Sequence, residues 1–203
     1  MLDELFTLAL EHLAMVAVAT LTATLCGVGA GILLTRRAGW RPALLGFAGV
    51  MQTVPSLALF GFLIPLCGIG RLTAVVALVL YALLPVMRNT LAGILSVDAA
   101  VRESALAMGM SDWQILREVE LPLAARTILA GVRVATVTTI GTATIAAAIG
   151  AGGLGVFIFR GIASVDTGQI LLGAIPAAAM ALAADAILGW FERRWATPAP
   201  TGS

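Results

Sequence analysis

Few side chains in this 203-residue chain could do chemistry, and their types exclude most of it. There is one histidine, His12, there are two cysteines, Cys26 and Cys67, and all twelve basic residues are arginine. A nucleotide-binding P-loop needs a lysine on the phosphates, and a Schiff-base enzyme needs a lysine amine, so any ATP hydrolysis must come from another chain. The cysteines lie in or beside apolar runs and read as packing residues, with a disulfide as the alternative. His12, at the outer start of the first apolar run, reads as a boundary residue. No His, Cys and carboxylate residues have metal-ligand spacing, and no nucleophile stands beside a base. Gly150, Gly152 and Gly155 spell G-x-G-x-x-G. That fingerprint needs a strand before it and a helix after it; here it closes a long apolar run, so a turn or close helix packing is expected.

Two charges stand inside apolar runs, where an ionised group normally finds a partner. Arg133 lies roughly 12 Å in from the start of its run, and Asp185 roughly 9 Å in from the end of the next, at 1.5 Å per residue. Their depths match, so an intramembrane ion pair is expected, with separate snorkelling of each to the interface as the alternative.

The elements that hold these residues must be helices in lipid. The chain is 60% hydrophobic and 11% charged, with mean hydropathy +1.03. A soluble domain is about 45–50% apolar and about 25% charged, so this is an integral membrane protein. A net charge of +1 leaves no basic footprint for nucleic acid. Apolar runs cover Leu13 to Leu34, Pro42 to Leu66 (interrupted by Pro55 and Pro65), Leu72 to Met87, Thr127 to Phe159 and Gly168 to Trp190, about five spans. The fourth run is too long for one upright helix and should break at the glycines. Acidic residues before the first run argue for a retained helix rather than a signal peptide. With the amino terminus outside, Arg36, Arg37, Arg41, Arg88, Arg102, Arg117, Arg126, Arg193 and Arg194 all fall on the cytoplasmic side, and so does the carboxyl terminus. The whole chain, 1–203, reads as a single transmembrane domain with a disordered tail from about 196 to 203.

Between the third and fourth runs lies a polar segment, "ESALAMGMSDWQILREVELP", 103–122. It has the pattern of two short amphipathic helices. Gly109 breaks them, Ser111 or Asp112 caps the second, and Glu118 is too far along for a capping box. Trp113, Leu116 and Val119 form an apolar stripe, and Pro122 ends the segment. Such a segment can dock into a groove of another protein or lie on the membrane as a connector.

The spacing is specific. Glu103-Ser104-Ala105, three residues, Gly109, nine residues, Val119, one residue and Leu121-Pro122 resemble the EAA motif of ABC importer permeases, E-A-A, x3, G, x9, I, x, L-P. Ser104 stands for an alanine and Val119 for an isoleucine. "MQTVPSLALFGFLIPLCGIG", "YALLPVMRNT" and "IGTATIAAAIGAGGLGVFIFRGI" are similar to the osmoprotectant branch, and the resemblance covers roughly 46–176.

It implies the all-α membrane fold of a type I ABC importer permease, with about five transmembrane helices and a cytoplasmic coupling helix. Glu103, Ser104, Ala105, Gly109, Leu121 and Pro122 would meet the ATPase. The implied partners are ABC ATPase subunits carrying ATP and Mg²⁺, an extracytoplasmic substrate-binding protein, and a second permease copy, identical or paralogous. This chain would bind no cofactor, sit in a bacterial-type inner membrane surrounded by lipid, and pass glycine betaine, choline or carnitine. A permease for methionine or another amino acid is the alternative, and an ATP-independent channel or carrier the second. The chain is poor in aromatic rings for a cation–π cage, so solute selection is expected in the binding protein. Candidate pathway residues are Pro55 and Ser56, where a kink frees carbonyls, and Thr142 and Thr144, whose hydroxyls otherwise bond back to the helix.

Overall fold

The computed structural model describes residues 2–194, so the expected tail at 196–203 lies outside the described residues. No strand occurs among the described residues. Helix α1 runs Leu2–Arg36, 35 residues, or about 52 Å, well beyond the roughly 30 Å hydrocarbon core. It begins earlier than the apolar run because the acids ahead of that run belong to the helix. Asp3 and Glu4 occupy its first turn, where the helix dipole favours negative charge. Glu4 and Glu11 then pair with Arg160 and Arg71.

The proline-interrupted run becomes two helices, α2 (Arg41–Thr53) and α3 (Ser56–Cys67), bent by 108°. Pro55 makes the break, whereas Pro65 rides inside α3. A break in lipid must resatisfy the backbone groups it frees. Here the Tyr81 hydroxyl donates to the Val54 carbonyl. Helix α4 (Arg71–Leu95) returns across the bundle and leads to α5 (Ala99–Ala107), capped by Asp98 through the Ala100 amide at 2.9 Å.

The next helix is the longest surprise. The turn α6 (Asp112–Gln114), a π turn (Ile115–Glu120) and α7 (Leu121–Ala143) form one helix of 32 residues, 112–143. Pro122 therefore does not end the polar segment, as the sequence suggested. In an α register its ring would meet the carbonyl of Glu118, four residues back; the wider π turn just ahead relieves that clash. The segment is thus rigidly continuous with a membrane span.

After Ala143 a tight turn (Ile145–Ile149) leads into the glycines, then α8 (Gly155–Ser164) and α9 (Thr167–Arg194). Gly150, Gly152 and Gly153 have φ of +71°, +84° and +77°, and a Cβ on Gly155 would stand 1.8 Å from the Thr144 carbonyl oxygen. The glycines serve a turn and a close approach, not a nucleotide. At 10 residues α8 is too short to cross and packs on α9.

Four helices are long and apolar enough to cross a membrane, or five with the bent pair counted as one span. They pack in sequence, α1 on α4, α4 on α7 and α7 on α9. Without a hydrophobic drive between helices in lipid, small residues set the contacts. A Cβ on Gly31 of α1 would lie 2.5 Å from Thr90 Cβ of α4, and one on Gly131 of α7 would lie 2.5 Å from Asn89 Cβ.

His12 is fully buried against the neighbouring helices, where its Nε2 lies 3.1 Å from the Ile140 carbonyl. Cys26 is exposed and Cys67 half-buried, both unpaired, so Cys26 faces outward from α1 instead of filling the core.

Candidate functional site

The polar segment turns on Gly109. Helix α5 ends at Ala107, and Gly109 has φ +81°. The Met110 amide donates to the Ala105 carbonyl at 3.2 Å and the Gly109 amide to the Leu106 carbonyl at 2.9 Å, the paired bonds of a Schellman cap. Two residues later the next helix starts with a full capping box. The Ser111 hydroxyl accepts from the Gln114 amide at 3.4 Å, and the Gln114 side chain accepts from the Ser111 amide at 2.8 Å. The sequence reading tested Glu118 for this role, but the box needs the third helical position, which Gln114 holds. Both sides of the turn are thus fixed by local hydrogen bonds.

The turn has a buried and an open face. Ala105, Ile115, Leu116 and Glu120 are buried. Leu106, Met108 and Trp113 are 56%, 75% and 66% exposed, and together they make an apolar knob with Glu103 and Ser104 also exposed beside it. This corrects the expected stripe: of Trp113, Leu116 and Val119 only Leu116 is buried. Within the π turn, Ile115, Leu116 and Glu120 are buried together. Leu116 joins Ile94 and Ala124 in a small apolar cluster, with Leu121 against it, while Pro122 is exposed. Ser104 donates its hydroxyl to the Ala100 carbonyl at 2.8 Å, so it is satisfied within α5.

Glu120 was not singled out from the sequence. It is fully buried, with Arg36 Nη2 3.1 Å from Oε2 and Arg102 Nη2 2.8 Å from Oε1. The second contact is an ion pair outside hydrogen-bond angles, since Oε1 has no hydrogen-bond partner. An unpaired carboxylate taken out of water costs on the order of several kcal/mol, a cost that the two arginines offset here. One signal could have revealed it: a carboxylate placed four residues after Leu116, on the apolar face of the segment.

The structure also brings Arg133 and Asp185 together. Arg133 Nε and Nη2 donate to the two Asp185 oxygens at 2.6 and 2.7 Å, the two-pronged fit of a guanidinium to a carboxylate. Glu192 accepts from Nη1 at 3.2 Å, and Arg126 lies 3.8 Å from its other oxygen. Gly189 makes room, since a Cβ there would stand 3.1 Å from the guanidinium carbon. These charges open onto a cavity of about 390 Å³, backed by Ala130, Val134, Val137 and Thr138.

The candidate pathway residues sit elsewhere. Pro55 is exposed and Ser56 half-buried at the 108° bend. Thr142 and Thr144 are half-buried and donate back to the Thr138 and Gly141 carbonyls at 2.9 and 2.7 Å. The two pairs flank one apolar cluster, on which their neighbours Val54 and Ile145 both pack. A larger groove of about 650 Å³ runs between α1, α7 and α9. Neither cavity is lined by a Phe, Tyr or Trp side chain.

Comparison with known proteins agrees with this architecture. Residues 23–197 match the family described as binding-protein-dependent transport system inner membrane component. The chain is 45% identical over 187 residues to the carnitine transport permease protein OpuCD of Listeria monocytogenes (strain 10403S), covering 90% of this chain and 82% of that one. It is 41% identical over 184 residues to the glycine betaine/carnitine/choline transport system permease protein OpuCB of Bacillus subtilis (strain 168), covering 91% and 85%. Among solved structures it superposes on a chain of the inward-facing MetNI methionine ABC transporter with a TM-score of 0.83 at 23% identity, covering 92% and 94%; this likeness establishes the type I ABC importer permease fold. The chain belongs to the binding-protein-dependent transport system inner membrane component family, as a multi-pass permease subunit.

Proposed function

We propose that this chain is the membrane permease of an ATP-driven importer for compatible solutes of the glycine betaine, carnitine and choline class. The observation that carries it is the apolar knob of Leu106, Met108 and Trp113, held out by two capped helix ends at the tip of a 32-residue helix. Exposed apolar side chains on an ordered polar turn fit a cleft in a soluble partner. A lever continuous with a span can turn motion of that partner into motion in lipid.

The partner is an ABC ATPase holding ATP and Mg²⁺, because a chain without lysine has no P-loop of its own. When nucleotide closes the ATPase dimer, the knob follows and the spans of two permease copies rock between inward-open and outward-open, a bistable coupling between separate sites. The amino terminus lies outside. The Arg36, Arg102, Arg117 and Arg126 end then faces the cytoplasm, and the end tied by Glu4–Arg160 and Glu11–Arg71 faces the binding protein. The solute class is supported by the relatives' printed substrates. With no Phe, Tyr or Trp in either cavity to hold a quaternary ammonium, recognition belongs to the binding protein, and Thr142, Thr144, Pro55 and Ser56 border a mildly polar passage.

The test is uptake into proteoliposomes holding this chain with its ATPase, binding protein and any second permease. ATP-dependent accumulation of labelled betaine, carnitine or choline is expected. Uptake of methionine alone would overturn the substrate, and uptake without the ATPase would overturn the mechanism.

A further inference from the structure

We infer that Arg36, Glu120 and Arg102 form a clamp that makes the coupling segment and the inner ends of two spans move as one body, with Glu120 as its positioning residue. The inference deepens the proposed function and rests on the reading that an ATPase drives this segment.

The geometry of the segment sets the need for such a clamp. Helix α5 hangs between two short connections, 96–98 and 108–111, and its principal neighbour is the π turn. A push on the knob could therefore tilt α5 about its connections and leave the spans behind. Glu120 closes that route. It sits on the 32-residue helix that becomes α7, one oxygen toward Arg102 of α5 and the other toward Arg36 of α1, 84 residues distant in sequence. A single carboxylate thus ties three elements at one point.

Burial makes the tie hard to release. Glu120 is 0% exposed, whereas the Arg36 and Arg102 side chains are 35% and 37% exposed. The arginines could each swing to water, but the carboxylate cannot be left without them inside the protein. Its placement is also specific. Glu120 stands at the end of a π turn in which Ile115, Leu116 and Glu120 are buried together, and such insertions gather at functional places in helices. Neither cavity is lined by any member of the triad, so its work is transmission.

The test uses the complete reconstituted transporter and measures two rates on the same vesicles, solute uptake and binding-protein-stimulated ATP hydrolysis. Glu120→Gln should keep hydrolysis within about twofold while the ratio of solute moved to ATP split falls about tenfold or more, within the usual range of coupling factors. Arg36→Gln and Arg102→Gln should each lower that ratio less, because the other arginine remains. The double variant should match Glu120→Gln, and Glu120→Asp should recover part of the ratio. Arg37→Gln, the exposed neighbour, should leave it unchanged. If Glu120→Gln does not assemble, the two single arginine variants decide, since each leaves Glu120 one partner. A wild-type ratio in both of them, or uptake and hydrolysis falling in step with the amount assembled, overturns the clamp while leaving ATP-driven transport intact. Wild-type uptake that needs no ATPase removes the proposed function, and the clamp with it.

Discussion

Gly109 allows the coupling turn to be tested through its backbone alone. Its φ is +81°, and a Cβ added there meets nothing within 4 Å. A substitution therefore creates no clash inside this chain; its cost is the left-handed conformation, about 1–2 kcal/mol for an ordinary L residue. Alanine also loses less freedom on ordering than glycine, which returns about 0.4–1 kcal/mol. The net for Gly109→Ala is about 1 kcal/mol, or roughly a fivefold loss in the fraction of chains holding the Schellman turn. Asparagine tolerates this region better than alanine, and a β-branched residue worse. The expected order is Gly109, then Gly109→Asn, Gly109→Ala and Gly109→Val, read both as initial rate of ATP-dependent uptake and as ATPase recovered with the purified permease. Equal loss in all three variants would refute the reasoning, since it would mean that a partner surface pressed against the position, and not the turn, requires glycine.

Three further outcomes follow from contacts elsewhere in the bundle. Gly131→Ala puts a Cβ 2.5 Å from Asn89 Cβ and 2.8 Å from the Pro85 carbonyl; overpacking of about 1–3 kcal/mol should lower the thermal midpoint in detergent, while Gly29→Ala, with open space around it, should not. Tyr81→Phe removes the hydroxyl on the Val54 carbonyl and should destabilise by about 1 kcal/mol, the net worth of one hydrogen bond, measured by the same melt. For the intramembrane charges, Asp185→Asn leaves Arg133 its Glu192 partner at 3.2 Å, whereas Arg133→Gln takes the ion-pair partner from Asp185 and leaves Glu192 only Arg126 at 3.8 Å. Uptake should therefore suffer more in the second, and the exchange Arg133→Asp with Asp185→Arg should recover part of it.

What could be read in the sequence divides along a physical line. Spans were legible because lipid imposes length and apolarity on every residue of a run, and the break at Pro55 because proline acts on its own backbone. The polar segment was legible because its residues stand at the fixed offsets of the motif it resembles. Arg133 and Asp185 were legible as a pair because a charge in lipid needs a partner and only two such charges had matching depth. Boundaries failed where a distant residue decided them. The start of α1 depends on Arg160 and Arg71, and the burial of His12 depends on the helices packed against it.

Glu120 failed to stand out for a related reason. In the sequence it is one of several charges in a polar stretch, beside Arg117 and Glu118, which are exposed. Their place around the helix separates them: Glu120 follows the buried Leu116 by four residues and turns inward, while Arg117 and Glu118 stay in water. The π turn that ends at Glu120 has its own cause two residues on: proline at 122 makes a strict α register there costly, and the helix yields by widening rather than ending. A proline readable as a helix stop thus permits an unbroken lever, and the buried carboxylate two residues before it ties that lever to α1 and α5. Replacing Pro122 with alanine should remove the clash that favours the widening. If the π turn then reverts to an α register, the segment upstream of it turns relative to α7 and carries Arg102 away from Glu120, and uptake per ATP should fall even though every residue of the triad is still present. An unchanged ratio in Pro122→Ala would show that packing of Ile115 and Leu116, rather than the proline, sets the turn.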